Sequence, residues 1–110
     1  MKVEFIGYLG SDAEYSKEGD KDGIKFQVAE TKQGKPDAEG NRKEYTQWIN
    51  CFRPVVSEDL LRTLKKGTRV FSRGSLRYKA YEGKDKNLGV RLNCRVTELE
   101  ILSVPKHEVE

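Results

Sequence analysis

Period-two alternation of apolar and polar side chains runs through most of this chain, and helical spacing occurs once. Ile24, Phe26 and Val28 share one side of an extended segment while Lys25 and Gln27 take the other. A chain patterned this way must pair strands and bury one face of each. Residues 2–9 are rich in β-formers (Val3, Phe5, Ile6, Tyr8) and run into Gly10-Ser11-Asp12, which predicts a first strand closed by a turn. Residues 24–32 and 44–53 predict the second and third strands, and residues 33–43, with Gly34, Pro36 and Gly40, read as a long polar hairpin loop.

Ser57-Glu58-Asp59 opens the helix with a capping hydroxyl and two acids at the positive end of its dipole, followed by Leu60, Leu61 and Leu64. Lys65-Lys66-Gly67 closes it, with Gly67 expected in the left-handed cap conformation. Residues 68–81 form a fourth strand whose alternation slips where Val70 and Phe71 adjoin, and Gly74 marks a bend or bulge. After a polar turn at 82–87, residues 88–102 give a fifth strand, with Val90, Leu92, Cys94 and Val96 opposite Arg91, Asn93 and Arg95. Three strands, a helix and two strands is the order of an all-β OB-fold. That fold is a five-stranded Greek-key barrel with one short helix between strands 3 and 4, whose middle strands and hairpin loops form the binding face. At 110 residues there is room for one such domain, at 1–102, with a short C-terminal extension at 103–110.

Apolar and charged residues each make up 35% of the chain, enough for a thin core and against a disordered polyelectrolyte. No apolar run approaches the roughly 18 residues of a membrane span, and Met1-Lys2 leads straight into a strand without a signal-peptide core, so a cytoplasmic protein is expected. Cys51 and Cys94 lie far apart and the sole histidine, His107, is near the end, so no zinc spacing exists and both cysteines read as buried free thiols. Catalysis would need a positioned base or nucleophile, and the acids cluster in turns and termini; neither an enzyme nor a cofactor is expected.

The net charge of +3 conceals an asymmetry: residues 61–95 hold eleven Lys and Arg against two Asp and Glu, while residues 1–30 and 96–110 are acidic. Aromatic and basic residues interleave there, which suits a charged backbone bearing flat bases. In the third strand Tyr45, Gln47, Ile49 and Cys51 share one face and Thr46, Trp48, Asn50 and Phe52 the other; with Ile49 and Cys51 in the core, Trp48 and Phe52 face out. The candidate stacking residues are therefore Trp48, Phe52 and Tyr81, with Asn50 beside them, and the candidate phosphate contacts are Arg73, Arg77, Lys79 and Lys32. Tyr78 shares parity with Leu76 and reads as packing. A tailless OB-fold adaptor of the primosome type and an RNA-binding OB module are the alternative readings.

Five segments taken in order resemble the bacterial single-stranded DNA-binding proteins over roughly residues 1–102: Gly7-Tyr8-Leu9-Gly10-Ser11-Asp12-Ala13-Glu14, Phe26-Gln27-Val28-Ala29, Thr46-Gln47-Trp48, Leu64-Lys65-Lys66-Gly67 with Val70, and Gly74-Ser75-Leu76-Arg77. Ala13 stands where that family has proline, Gln47 where it has an acid, Gly34 and Pro54 where it has stacking aromatics, and Tyr81 where it has a tryptophan. The resemblance implies sequence-tolerant single-stranded DNA binding in replication, recombination or repair, and a homo-oligomer, most often a tetramer. Ile49-Asn50 replaces a histidine-arginine pair near a subunit interface, and Ile49 either strengthens such a contact or belongs to the core. Residues 103–110 lack the acidic amphipathic tip through which relatives recruit partners, so no recruitment through the tail is expected.

Overall fold

Side chains alternating about a barrel wall dictate the architecture of the computed structural model, which describes residues 1–84 and 88–105, the side chains of Lys32 and Leu88 excepted. Among the described residues six strands and one helix follow in the order β1 (Lys2–Leu9), β2 (Glu14–Glu18), β3 (Lys21–Pro36), β4 (Arg42–Arg53), α1 (Glu58–Thr63), β5 (Arg69–Glu82) and β6 (Leu88–Ser103). The sheet runs β1-β5-β6-β4-β3-β2 and closes on itself where Tyr8 and Leu9 of β1 meet Ala29 and Val28 of β3. A parallel seam joins β4 to β6, from Ile49 opposite Leu92 to Phe52 opposite Arg95. This is the expected OB-fold barrel with β2 added at its edge. Residues 106–110, most of the expected extension, lie outside the described residues.

Phe5, Leu9, Ile24, Phe26, Val28, Ile49, Cys51, Val70, Cys94 and Val96 fill the barrel. Ile49 is thus a core residue, which decides between its two readings. Leu64 plugs one end of the barrel, fully buried, with Leu60 and Leu61 of α1 packed against the same cluster. Ser57 caps α1 by accepting from the Leu60 amide at 3.2 Å. The helix ends at Thr63, earlier than expected. Gly67, at φ +90°, serves the turn into β5 instead of the helix cap, and its amide donates to the Leu9 carbonyl.

Several boundaries differ from expectation. None of the five residues of β2 is buried, so no apolar alternation announces that strand. The expected loop at 33–43 is mostly strand: β3 continues to Pro36 and β4 resumes at Arg42. Only a tight turn remains, in which the Asp37 carboxylate accepts from the amides of Glu39 and Asn41, each at 2.9 Å. Gly74 does sit at an irregularity: Arg73 pairs with Glu98 and Gly74 with Val96, leaving Thr97 bulged. A Cβ on Gly74 would lie 2.0 Å from the Arg95 carbonyl oxygen, so the two backbones approach too closely for any side chain. The bulge also reverses the parity of β6, turning Leu99 and Ile101 inward after Cys94 and Val96.

Beyond the barrel, the β3–β4 and β5–β6 hairpins extend as two arms. Residues 42–48 of β4 are all exposed, so Tyr45 and Gln47 keep the inward parity yet face solvent. For the same reason Tyr78 and Val90, expected to pack, are 72% and 58% exposed.

Candidate nucleic-acid interface

The parallel β4–β6 seam ends at Ile49 and Leu92, and toward the arms each strand keeps only its hairpin partner. Between the arms this leaves a groove of about 560 Å³, lined by Tyr45, Thr46, Gln47, Trp48 and Asn50 on one side and Tyr81, Val90, Arg91 and Leu92 on the other. Trp48 is half-exposed and Tyr81 is 43% exposed, so the sequence placed both rings correctly outside the core. The Arg91 guanidinium stands 5.2 Å from the Tyr81 ring centroid, where it holds a cation against the ring's negative face.

Asn50 joins this groove to a second one of about 590 Å³, lined by Lys17, Lys25, Phe52, Arg77, Asn93 and Arg95 among others. It occupies the middle of a polar ladder, accepting from the Gln27 amide at 2.9 Å and donating to Asn93 at 3.4 Å across three strands. The second groove carries four cations against one acid of its own, Glu18, and one of the cations, Lys25, is offset by Glu14 at 3.7 Å. A third hollow, of about 730 Å³, shares Gln27 and Asn50 but mixes Asp12 and Glu14 with Lys25 and Lys66, which gives a polyanion little net attraction.

Four of the aromatic rings occupy space in front of a glycine on a neighbouring segment. A Cβ on Gly10 would lie 2.3 Å from Trp48 Cζ3, one on Gly89 2.4 Å from Tyr81 Cζ, one on Gly34 2.9 Å from Tyr45 Cε2, and one on Gly23 2.6 Å from Phe52 Cζ and 2.3 Å from the Arg53 carbonyl oxygen. Missing side chains thus make the seats on which these rings rest.

Three of the expected residues stand apart from the exposed lining of the grooves. Phe52 has the outward parity but is only 8% exposed, because its ring fills the space over Gly23 and offers little face for stacking. Arg73 lies away from both grooves, held between Glu4 at 2.8 Å and Glu98 at 3.0 Å on the outer face of β1, β5 and β6. Lys79 is exposed opposite Arg91 but lines neither groove. Arg77 lies in the second groove, and the side chain of Lys32 lies outside the described ones. Tyr45, Arg91 and Arg95 line the grooves without having been singled out. Arg91 and Arg95 belong to the basic block visible in sequence, whereas Tyr45 carried the parity of the core.

Cys51 and Cys94 are free, buried and directly opposed across the β4–β6 seam. Burial, then the neighbouring Cys94, raises the Cys51 thiol pKa, and burial raises that of Cys94. Among the described residues no cluster of His, Cys, Asp or Glu suits a metal ion, and no helix is long and apolar enough to cross a membrane.

Residues 1–102 match the single-strand binding protein family. The chain belongs to that family. It is 29% identical over 104 residues to single-stranded DNA-binding protein 1 of Xylella fastidiosa, covering 92% of this chain and 76% of that protein. Among solved structures, a Plasmodium falciparum SSB in complex with ssDNA aligns with TM-score 0.68 at 20% identity, covering 93% of this chain and 94% of the other. The small single-stranded DNA-binding protein of Streptomyces coelicolor aligns with TM-score 0.69 at 12% identity, covering 92% and 93%. At such identities the structural likeness establishes the shared OB-fold.

Proposed function

We propose that this domain binds single-stranded DNA with little sequence preference, acting by coating and protecting it in replication, recombination or repair and not by catalysis. One observation carries the reading: half-exposed Trp48 and Tyr81 face a single groove that continues past Asn50 into a basic one. Bases stack on the two rings, and Arg91, Arg77, Arg95 and Lys17 contact phosphates along the path, with Lys79 at its margin. Membership of the family and a structural neighbour captured with ssDNA support the same conclusion. Stacking on these rings does not select one base over another, since every base presents a flat face.

Trp48→Ala and Tyr81→Ala test the assignment. Each is expected to weaken oligo-dT binding by about 1–3 kcal/mol while leaving the domain folded. A Trp48→Ala variant that melts far below the parent would place the indole in the core and refute it.

The family is one of oligomers, and we propose that this chain forms a homotetramer in the cytoplasm. Ile6 and Tyr8 stand exposed on the outer face of β1, where Ile6 pairs with Phe71 of β5, an apolar surface suited to a second copy. Light scattering at micromolar concentration giving a monomer mass would remove this part of the proposal.

A further inference from the structure

We propose that Tyr45 is a further base-contacting side chain, carried on the β3–β4 arm, and that Gly34 is the residue that positions its ring. The inference rests on the single-strand reading above and extends it to a residue of the opposite parity from Trp48. Tyr45 is 59% exposed and lines the same groove as Trp48 and Tyr81, which gives that groove three aromatic rings. Exposed Arg42 and Lys43 precede it on the same arm, with Glu44 between, supplying cations near a ring as a polyanion with bases requires.

The glycine supplies the second strand of argument. Gly34 lies near the end of β3, within the register shift between Gln33 and Pro36, and glycine there costs the strand stability relative to other residues. Its backbone does not need it: the positive-φ glycines are Gly19, Gly40 and Gly67. Main-chain crowding does not need it either, because the nearest backbone atom to a Cβ there, the Lys43 carbonyl oxygen, would be 3.5 Å away, an ordinary contact. What a side chain at position 34 would meet too closely is the Tyr45 ring, at 2.9 Å from Cε2. The absent side chain therefore makes room for this ring beside the other strand of its hairpin. Gly7, Gly23 and Gly74 differ, since there a Cβ would strike main-chain carbonyl oxygens at 2.3, 2.3 and 2.0 Å.

The test measures anisotropy of a labelled oligo-dT with the full chain and five variants: Tyr45→Ala, Tyr45→Phe, Gly34→Ala, Gly34→Ala with Tyr45→Ala, and Trp48→Ala as reference. Tyr45→Ala is expected to weaken binding between about 5- and 150-fold, the range for one stacked base, without changing the salt dependence, because the ring carries no charge to a phosphate. Tyr45→Phe is expected to bind as the parent does. Gly34→Ala is expected to weaken binding several-fold when Tyr45 is present and to add nothing once Tyr45 is alanine. Tyr45→Ala binding within twofold of the parent, while Trp48→Ala weakens, overturns the inference and leaves the groove reading intact. If Trp48→Ala also binds normally, the groove reading falls and this inference with it. An equal effect of Gly34→Ala with and without Tyr45 overturns the positioning role.

Discussion

Arg73 and Arg77 are four residues apart on β5, share a parity and were equally good phosphate contacts by sequence, yet the structure predicts opposite behaviour on substitution. Among the described residues Arg77 makes no ion pair and lies in the basic groove, whereas Arg73 is neutralised by Glu4 and Glu98. Four groove cations remain after Lys25 is offset by Glu14: Lys17, Arg77, Arg91 and Arg95. At about 0.7 of slope per neutralised phosphate on a single strand, they give a log–log salt slope near −2.8, or roughly a 50-fold loss of affinity between about 50 and 200 mM salt. Removing one contact in Arg77→Ala brings the slope to about −2.1 and the loss to roughly 20-fold. Arg73→Ala is expected to keep the parental slope and to lose only stability. Its ion pairs are half-exposed, so that loss is of order 0.2–1 kcal/mol per pair. Equilibrium titration of oligo-dT at several salt concentrations reads both slopes. A shallower slope for Arg73→Ala, or an unchanged one for Arg77→Ala, would refute the placement of the phosphate path.

Gly74→Ala is expected to destabilise the domain by more than about 2 kcal/mol in a urea melt, because its Cβ would meet the Arg95 carbonyl oxygen at 2.0 Å; near-parental stability would contradict the close approach of β5 and β6. The buried thiols make stability depend on alkaline pH. Their folded pKa values lie above the unfolded value, so the contribution is fully present below about pH 8.5 and is lost as the unfolded thiols ionise above it. Urea melts at pH 7.5 and 9.5 should therefore show a fall in stability that is smaller in Cys51→Ala, and an equal fall in both proteins would contradict the burial argument.

Strand order was readable because the barrel wall imposes alternation: Ile24, Phe26 and Val28 are buried at 0%, 4% and 0%, with Lys25 and Gln27 outside. Ser57 and Gly74 were readable for local reasons, a helix amide to be capped and a backbone that must pass close to another. The pattern loses meaning where both faces of a strand meet solvent. For that reason β2 leaves no signal, the outer part of the β3–β4 arm reads as a loop, and Tyr45 carries the parity of an interior that ends before it reaches that ring. Neither Arg73 nor Phe52 could be placed from its own segment. The acid that bonds the Arg73 Nε lies 69 positions away, and Phe52 is covered only because Gly23 comes beside it in the folded sheet. Parity assigns a side to each residue, whereas exposure depends on what the neighbouring strand supplies.

The most direct test of the groove is the intrinsic fluorescence of Trp48, the chain's single tryptophan and the ring at its centre, titrated with oligo-dT at low salt. Stacking of a base on a half-exposed indole predicts saturable quenching that reverses as salt is raised and is far weaker with duplex of the same length. Emission that stays unchanged while the oligonucleotide is bound, or duplex that competes equally well, would contradict the account.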